Sequence, residues 1–133
     1  MSPRVVATVD LGAIRHNLGQ VRAKAPNARI MAAVKADAYG HGAVPVARTL
    51  VAAGVDALAV ACMEEALVLR RAHVGGQMAL LEGILSAEEA AMAVYEQLDV
   101  VLHDHWQIEL LHALGPTAQI RVRLFLNPSE SPR

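Results

Sequence analysis

Aromatic residues make up 3% of the chain, and cysteine occurs once. With so few aromatics there is no platform for stacking nucleic-acid bases. Acidic and basic residues are interspersed and the net charge is −1, so no basic stripe marks a nucleic-acid footprint. The lone Cys62 excludes an internal disulfide framework and fits a reducing compartment. No run approaches the ~18 apolar residues of a membrane helix. The opening stretch, MSPRVVATVDLGAIRHN, has no unbroken apolar core of signal-peptide length, because Asp10 and Arg15 interrupt it. These features lead to the expectation of a cytoplasmic protein. Lysine is also scarce: the chain has only Lys24 and Lys35, and its other basic side chains are arginines.

What remains is a globular composition: 133 residues, 54% hydrophobic and 19% charged, enough for one core. Val5 to Val9 is a β-branched run that reads as a strand. Asp10 then caps a helix from Leu11 to Lys24, with Leu11, Ile14, Leu18 and Val21 on one face. Ile30 to Val34 reads as a buried strand, and Pro45 suits the first turn of a helix running to Ala53. The spacing then predicts a strand over Val55–Ala61, a helix over Met63–His73 and a strand over Met78–Leu81. Ser86 and Glu89 have capping-box spacing for a helix to Glu96. A strand over Asp99–Leu102, a helix capped by Asp104 and ending near Leu114, and a strand over Ile120–Leu126 complete the series. Strand and helix alternate with short connections, and the strands are near-continuous apolar runs. That pattern predicts an α/β fold with a parallel sheet covered on both faces. Five βα steps would make about the first half of a (β/α)8 TIM barrel, which needs ~200 residues or more in full, or else an open sheet. Half a barrel would leave strand edges uncovered and prone to self-association.

The chemistry concentrates in Ile30 to Gly42, IMAAVKADAYGHG. An apolar strand delivers Lys35 and gives way to a polar turn. A lysine at the end of a buried strand is costly unless it is paired, neutralised or covalently used. Taken alone, composition favours a snorkelling or paired side chain at Lys35 over a functional one. Tyr39 could be a boundary tyrosine with a wet hydroxyl, Gly40 and Gly42 could merely permit a tight turn, and His41 could be a loop histidine.

At VKADAYGHG the chain resembles alanine racemases, fold type III enzymes that use pyridoxal 5′-phosphate (PLP). The likeness runs from ATVDLGAIRHNL through ACMEEALVLR and LLEGI to LHDHWQIELL, over roughly residues 5 to 122. It implies an N-terminal barrel that binds PLP at the C-terminal ends of its strands. It implies that Lys35 is the catalytic lysine that holds the cofactor covalently, and that Tyr39 hydrogen-bonds the cofactor phosphate. The implied activity is the interconversion of L- and D-alanine, for peptidoglycan supply or alanine catabolism, in a homodimer. A racemase of broader amino-acid specificity, and a non-catalytic fragment that binds PLP or a partner, are the alternatives.

The likeness stops near Arg123. Family members continue with a motif of the kind Asp-Thr-Gly-Met-x-Arg, where this chain reads Leu-Phe-Leu-Asn127-Pro-Ser-Glu-Ser-Pro-Arg133. The expectation is therefore a truncated barrel segment over 1–126, an aberrant polar tail over 127–133, and no C-terminal β domain. The family's second catalytic residue, a tyrosine from that domain, matches neither Tyr39 nor Tyr95. The 133-residue chain is accordingly expected to have no useful racemase activity. Elsewhere, His103, Asp104 and His105 read better as a helix cap with solvated histidines than as metal ligands. Cys62 lacks an identifiable base and reads as inert, and Glu64-Glu65 reads as first-turn charge favouring a helix dipole. Leu81, Glu82 and Gly83 fall at a strand's C-terminal end, where barrel sites are built.

Overall fold

Asp10 starts the first helix as expected. In a computed structural model, which describes residues 4–124, its Oδ1 accepts the Ala13 N–H at 3.1 Å. Helix α1 runs over Leu11–Lys24 and buries Leu18, with Leu11 and Ile14 packed beside it. Val21, expected on the same face, is exposed. Arg22, one residue on, donates to the carbonyls of Ala53 and Gly54 and so ties α1 to the end of the helix it packs on.

The sheet is parallel and strictly sequential: β1 (Met31–Ala33), β2 (Ala57–Val60), β3 (Met78–Leu80), β4 (Asp99–Val101) and β5 (Arg121–Arg123). Neighbours in sequence are neighbours in space, which is how one βα step after another builds a barrel wall. The register pairs Ala32 with Leu58, Leu58 with Met78, Ala79 with Asp99, and Val100 with Val122. Helices α3 (Ala43–Ala52), α4 (Met63–Arg71), α5 (Ala87–Tyr95) and α6 (His105–His112) follow the first four strands. A short left-handed turn, α2 (Lys35–Gly40), lies between β1 and α3. Every residue of β2, β3 and β4 is buried, so the central strands are covered on both faces. The architecture is the first half of a (β/α)8 barrel.

Two expectations change. Residues Val5 to Val9 form no strand: Val5 and Val6 are exposed, and among the described residues no neighbouring strand pairs with them. A β-branched run supplies propensity, but a strand needs a partner to take its hydrogen bonds. Strand β1 is an edge strand rather than a buried one, with Ala33 exposed and Val34 the first deeply buried residue after it. At the other edge β5 is also largely exposed. Phe125 and Leu126 of the last expected strand, and the tail over 127–133, lie outside the described residues. Among the described residues, no helix is long and apolar enough to cross a membrane.

The N-terminal rim of the sheet is held by polar contacts that cross it from strand to strand. Asp56 accepts the Ile30 N–H at 2.7 Å, Arg29 donates to Gln77 at 2.9 Å, and Gln77 donates to Asp99 at 2.6 Å. Asp99 then takes Arg121 and Arg123, at 2.7 Å each. Burial alone would raise the Asp99 carboxyl, but the hydrogen bonds from Gln77, Arg121 and Arg123 outweigh it and hold the group below the usual carboxylate range. This is the end of a barrel where stability is built; chemistry belongs at the other.

Candidate active site

Lys35 stands where β1 ends, at the C-terminal rim, and is half-buried. The polar turn expected after it is a left-handed one. Ala36, Asp37, Ala38 and Tyr39 have φ of 51°, 54°, 53° and 56° in sequence. Each such residue costs ~1–2 kcal/mol when it is not glycine, so four in succession persist only if their surroundings impose them. The surroundings do. The Ala38 N–H donates to the Val34 carbonyl at 2.9 Å, and the Gly42 N–H to that of Asp37 at 3.0 Å. Asp37 Oδ1 accepts the Ala43 N–H at 2.7 Å, at the first turn of α3. His41 Nδ1 lies 3.0 Å from the Ala38 carbonyl, which gives that histidine a local bracing role. Ala38 is buried, so the turn is anchored in the core by its middle.

Lys35 precedes the left-handed stretch and Tyr39 is its last non-glycine residue. Tyr39 is 61% exposed. Neither the lysine amine nor the tyrosine hydroxyl makes a side-chain hydrogen bond or ion pair among the described residues. The amine is thus available to an aldehyde and the phenol to a phosphate oxygen, and this donor set fits PLP.

Other strand ends complete the rim. Glu65, in the first turn of α4, has more to do than favour a dipole. Its Oε1 accepts the Ala36 N–H at 2.8 Å and its Oε2 the Ala61 N–H at 2.7 Å. Glu89 makes only the local half of this pattern in α5, where it takes the Leu85 N–H at 2.8 Å. Cys62 occupies the N-cap of α4 without a side-chain cap. Burial pushes its thiol up, and the charges of Glu64 and Glu65 add to that against a backbone hydrogen bond at Glu65 that lowers it.

Beyond β3 and β4, Gln107 is fully buried and joins the two loops. Its Oε1 accepts the His103 N–H at 2.7 Å, and its Nε2 donates to the Ile84 carbonyl at 3.1 Å. Gly83 has φ +76°, and a Cβ there would lie 2.4 Å from the Val101 carbonyl oxygen. Asp104 caps α6 in a capping box with Gln107, and His103 Nε2 lies 2.7 Å from the Leu81 carbonyl. A concavity of about 730 Å³ lies beside Gln97, Leu98 and Arg121, at the far end of the strands from Lys35.

Glu65 and Gln107 were not legible as site residues. Both sit three residues after a helix cap, a position with an ordinary capping role, and nothing local says that they also reach a second loop.

Fold and site together define a barrel half that presents an available lysine at the C-terminal end of its first strand. The family model "Alanine racemase, N-terminal domain" matches residues 9–128. The chain is similar to an alanine racemase of Acidithiobacillus ferrooxidans, 42% identical over 122 residues that cover 92% of this chain and 34% of the relative. It is 48% identical to that of Pseudomonas syringae pv. syringae over 105 residues, 79% of this chain and 29% of the relative. Among solved structures, the biosynthetic alanine racemase of Pseudomonas aeruginosa superimposes with a TM-score of 0.82 at 41% identity, over 93% of this chain and 37% of that one. The chain belongs to the alanine racemase family, within the N-terminal domain. It spans about a third of the length of the curated relatives it matches.

Proposed function

We propose that this chain is the lysine-bearing part of a PLP-dependent alanine racemase, with Lys35 as catalytic residue and Tyr39 as phosphate ligand. The observation that carries the reading is Lys35 itself. It is half-buried at the C-terminal end of a barrel strand, without an ion-pair partner among the described residues, on a turn its neighbours hold in place. When bound, PLP supplies an electron sink for a carbanion next to the amino group. Lys35 Nζ would hold the cofactor covalently at its aldehyde carbon and, as a free amine, would take or return a proton on one face of the substrate Cα. The Tyr39 hydroxyl would donate to a phosphate oxygen of the cofactor.

Racemisation needs a second acid–base group on the opposite face, and neither tyrosine of this chain matches the one the family uses. A general acid–base group typically contributes ~10²–10⁴-fold. On this reading the 133 residues alone hold the cofactor but interconvert L- and D-alanine at least a hundredfold more slowly than a family enzyme, on the order of the lower bound. Residues 1–126 then count as barrel segment, and catalysis belongs to a homodimer in the cytoplasm.

Incubation with PLP, borohydride reduction and peptide mass spectrometry test the assignment. The reduced adduct is expected on Lys35, and Lys35→Arg should carry none there. Labelling of Lys24 and Lys35 to equal extents would count decisively against it.

A further inference from the structure

We infer that Glu65 is the positioning residue for Lys35, through the backbone of the residue that follows it. The inference deepens the PLP reading, since Lys35 matters as the cofactor's lysine.

The geometry is specific. Ala36 directly follows Lys35, and Ala61 directly follows β2. One carboxylate takes both N–H groups, at 2.8 and 2.7 Å, and so bridges the ends of two adjacent strands. Hydrogen bonds from amides to a carboxylate are the strong, charge-assisted kind. In an ordinary capping box, the third residue of a helix returns to its own cap. Here the cap is Cys62, without a side-chain cap bond, and the glutamate instead reaches one residue further back and across to β1.

The turn needs such a clamp. Four consecutive left-handed residues begin at Ala36. Asp37 fixes the exit of the turn on α3. Glu65 fixes the entry, one peptide from the Cα of Lys35. Released at the entry, the turn can relax toward ordinary φ, and the lysine's direction changes with it. Only a carboxylate accepts both N–H groups. A glutamine offers one oxygen, and its amide nitrogen then faces the second N–H as donor against donor. An aspartate is one methylene short of spanning both.

The test compares the 133-residue protein with Glu65→Gln, Glu65→Asp and the neighbouring Glu64→Gln. Without PLP, amide hydrogen exchange at Ala36 and Ala61 reads the clamp, and Leu58 in β2 reads the fold. With PLP, the rate of borohydride-trapped adduct at Lys35 is read against that at Lys24 in the same chain. In Glu65→Gln, exchange at Ala36 should quicken about tenfold or more, as expected for a lost charge-assisted bond, with Leu58 unchanged. Adduct formation at Lys35 should slow by about tenfold, in the range that lost orientation produces, while Lys24 stays constant. Glu65→Asp should follow the same pattern, and Glu64→Gln should match the wild type. Unchanged exchange at Ala36, or an unchanged rate at Lys35, overturns the inference. So does loss of protection at Leu58 in both Glu65 variants, which would make Glu65 a folding residue. If the wild type forms no adduct at Lys35, the cofactor reading falls and takes Glu65's role toward PLP with it. Exchange at Ala36 then still decides whether the carboxylate holds the turn.

Discussion

The buried carboxylate of Asp99 lies 2.7 Å from Arg123 Nη2, and this pair closes the polar line that crosses the bottom of the sheet. Arg123 is partly exposed, while Asp99 is 1% exposed. Removing the carboxylate strips partners from Gln77, Arg121 and Arg123 at once. Asp99→Ala should destabilise the fold by about 2–3 kcal/mol, the range for buried hydrogen bonds to a charged group. The midpoint of urea unfolding measures this. A midpoint within error of the wild type would mean that water replaces the lost contacts.

The same carboxyl predicts a response to acid. It titrates lower in the folded chain than its unfolded reference of about 3.9, so between those two values the unfolded state binds more protons. Its stabilisation is therefore complete above about pH 4 and is lost as pH falls through the folded value. Urea midpoints for the wild type and Asp99→Asn should lie furthest apart near neutral pH and converge on acidification. A constant separation down to acid pH would contradict the assignment.

Two glycines should respond oppositely to alanine. At Gly83, φ is +76° and a Cβ would lie 2.4 Å from the Val101 carbonyl and 2.7 Å from Gln107 Nε2. Backbone strain and the displaced Gln107 together should cost Gly83→Ala about 3 kcal/mol. Gly19, inside α1, has nothing within 4 Å of its would-be Cβ. Gly19→Ala should stabilise by about 0.5–1 kcal/mol through helix propensity. Thermal unfolding of the two variants separates them in sign.

Tyr39→Phe tests the phosphate contact without disturbing the core, since the ring is largely exposed. Loss of one hydrogen bond to a charged phosphate should weaken PLP binding by about tenfold or more. Unfolding should be unchanged. Equal affinity for PLP and for pyridoxal without phosphate, in the wild type, would remove Tyr39 from the site.

Much of the fold could be read in advance where the deciding interactions are local. Asp10, Ser86 and Asp104 each cap the helix expected of them, because a cap is made within three residues. The apolar runs around Leu58, Met78 and Val100 are strands because their length and flanking helices allow little else. The failures are equally physical. Val5 to Val9 has strand propensity without a partner strand. The left-handed turn defies the preference of each of its residues, and the bond that secures its entry comes from Glu65, 29 positions away. Lys35 and Tyr39 were singled out through a motif, but the left-handed backbone between them is visible only in the structure.

Local chemistry thus determined where the chain alternates between strand and helix, and which lysine stands apart. Those decisions rest on spacing, caps and burial patterns a few residues long. Tertiary structure alone decided how the residue after Lys35 is held, and which polar groups lock the sheet from below. Such contacts set a charge against groups distant in the chain, and their strength comes from burial and geometry that exist only once the sheet has assembled.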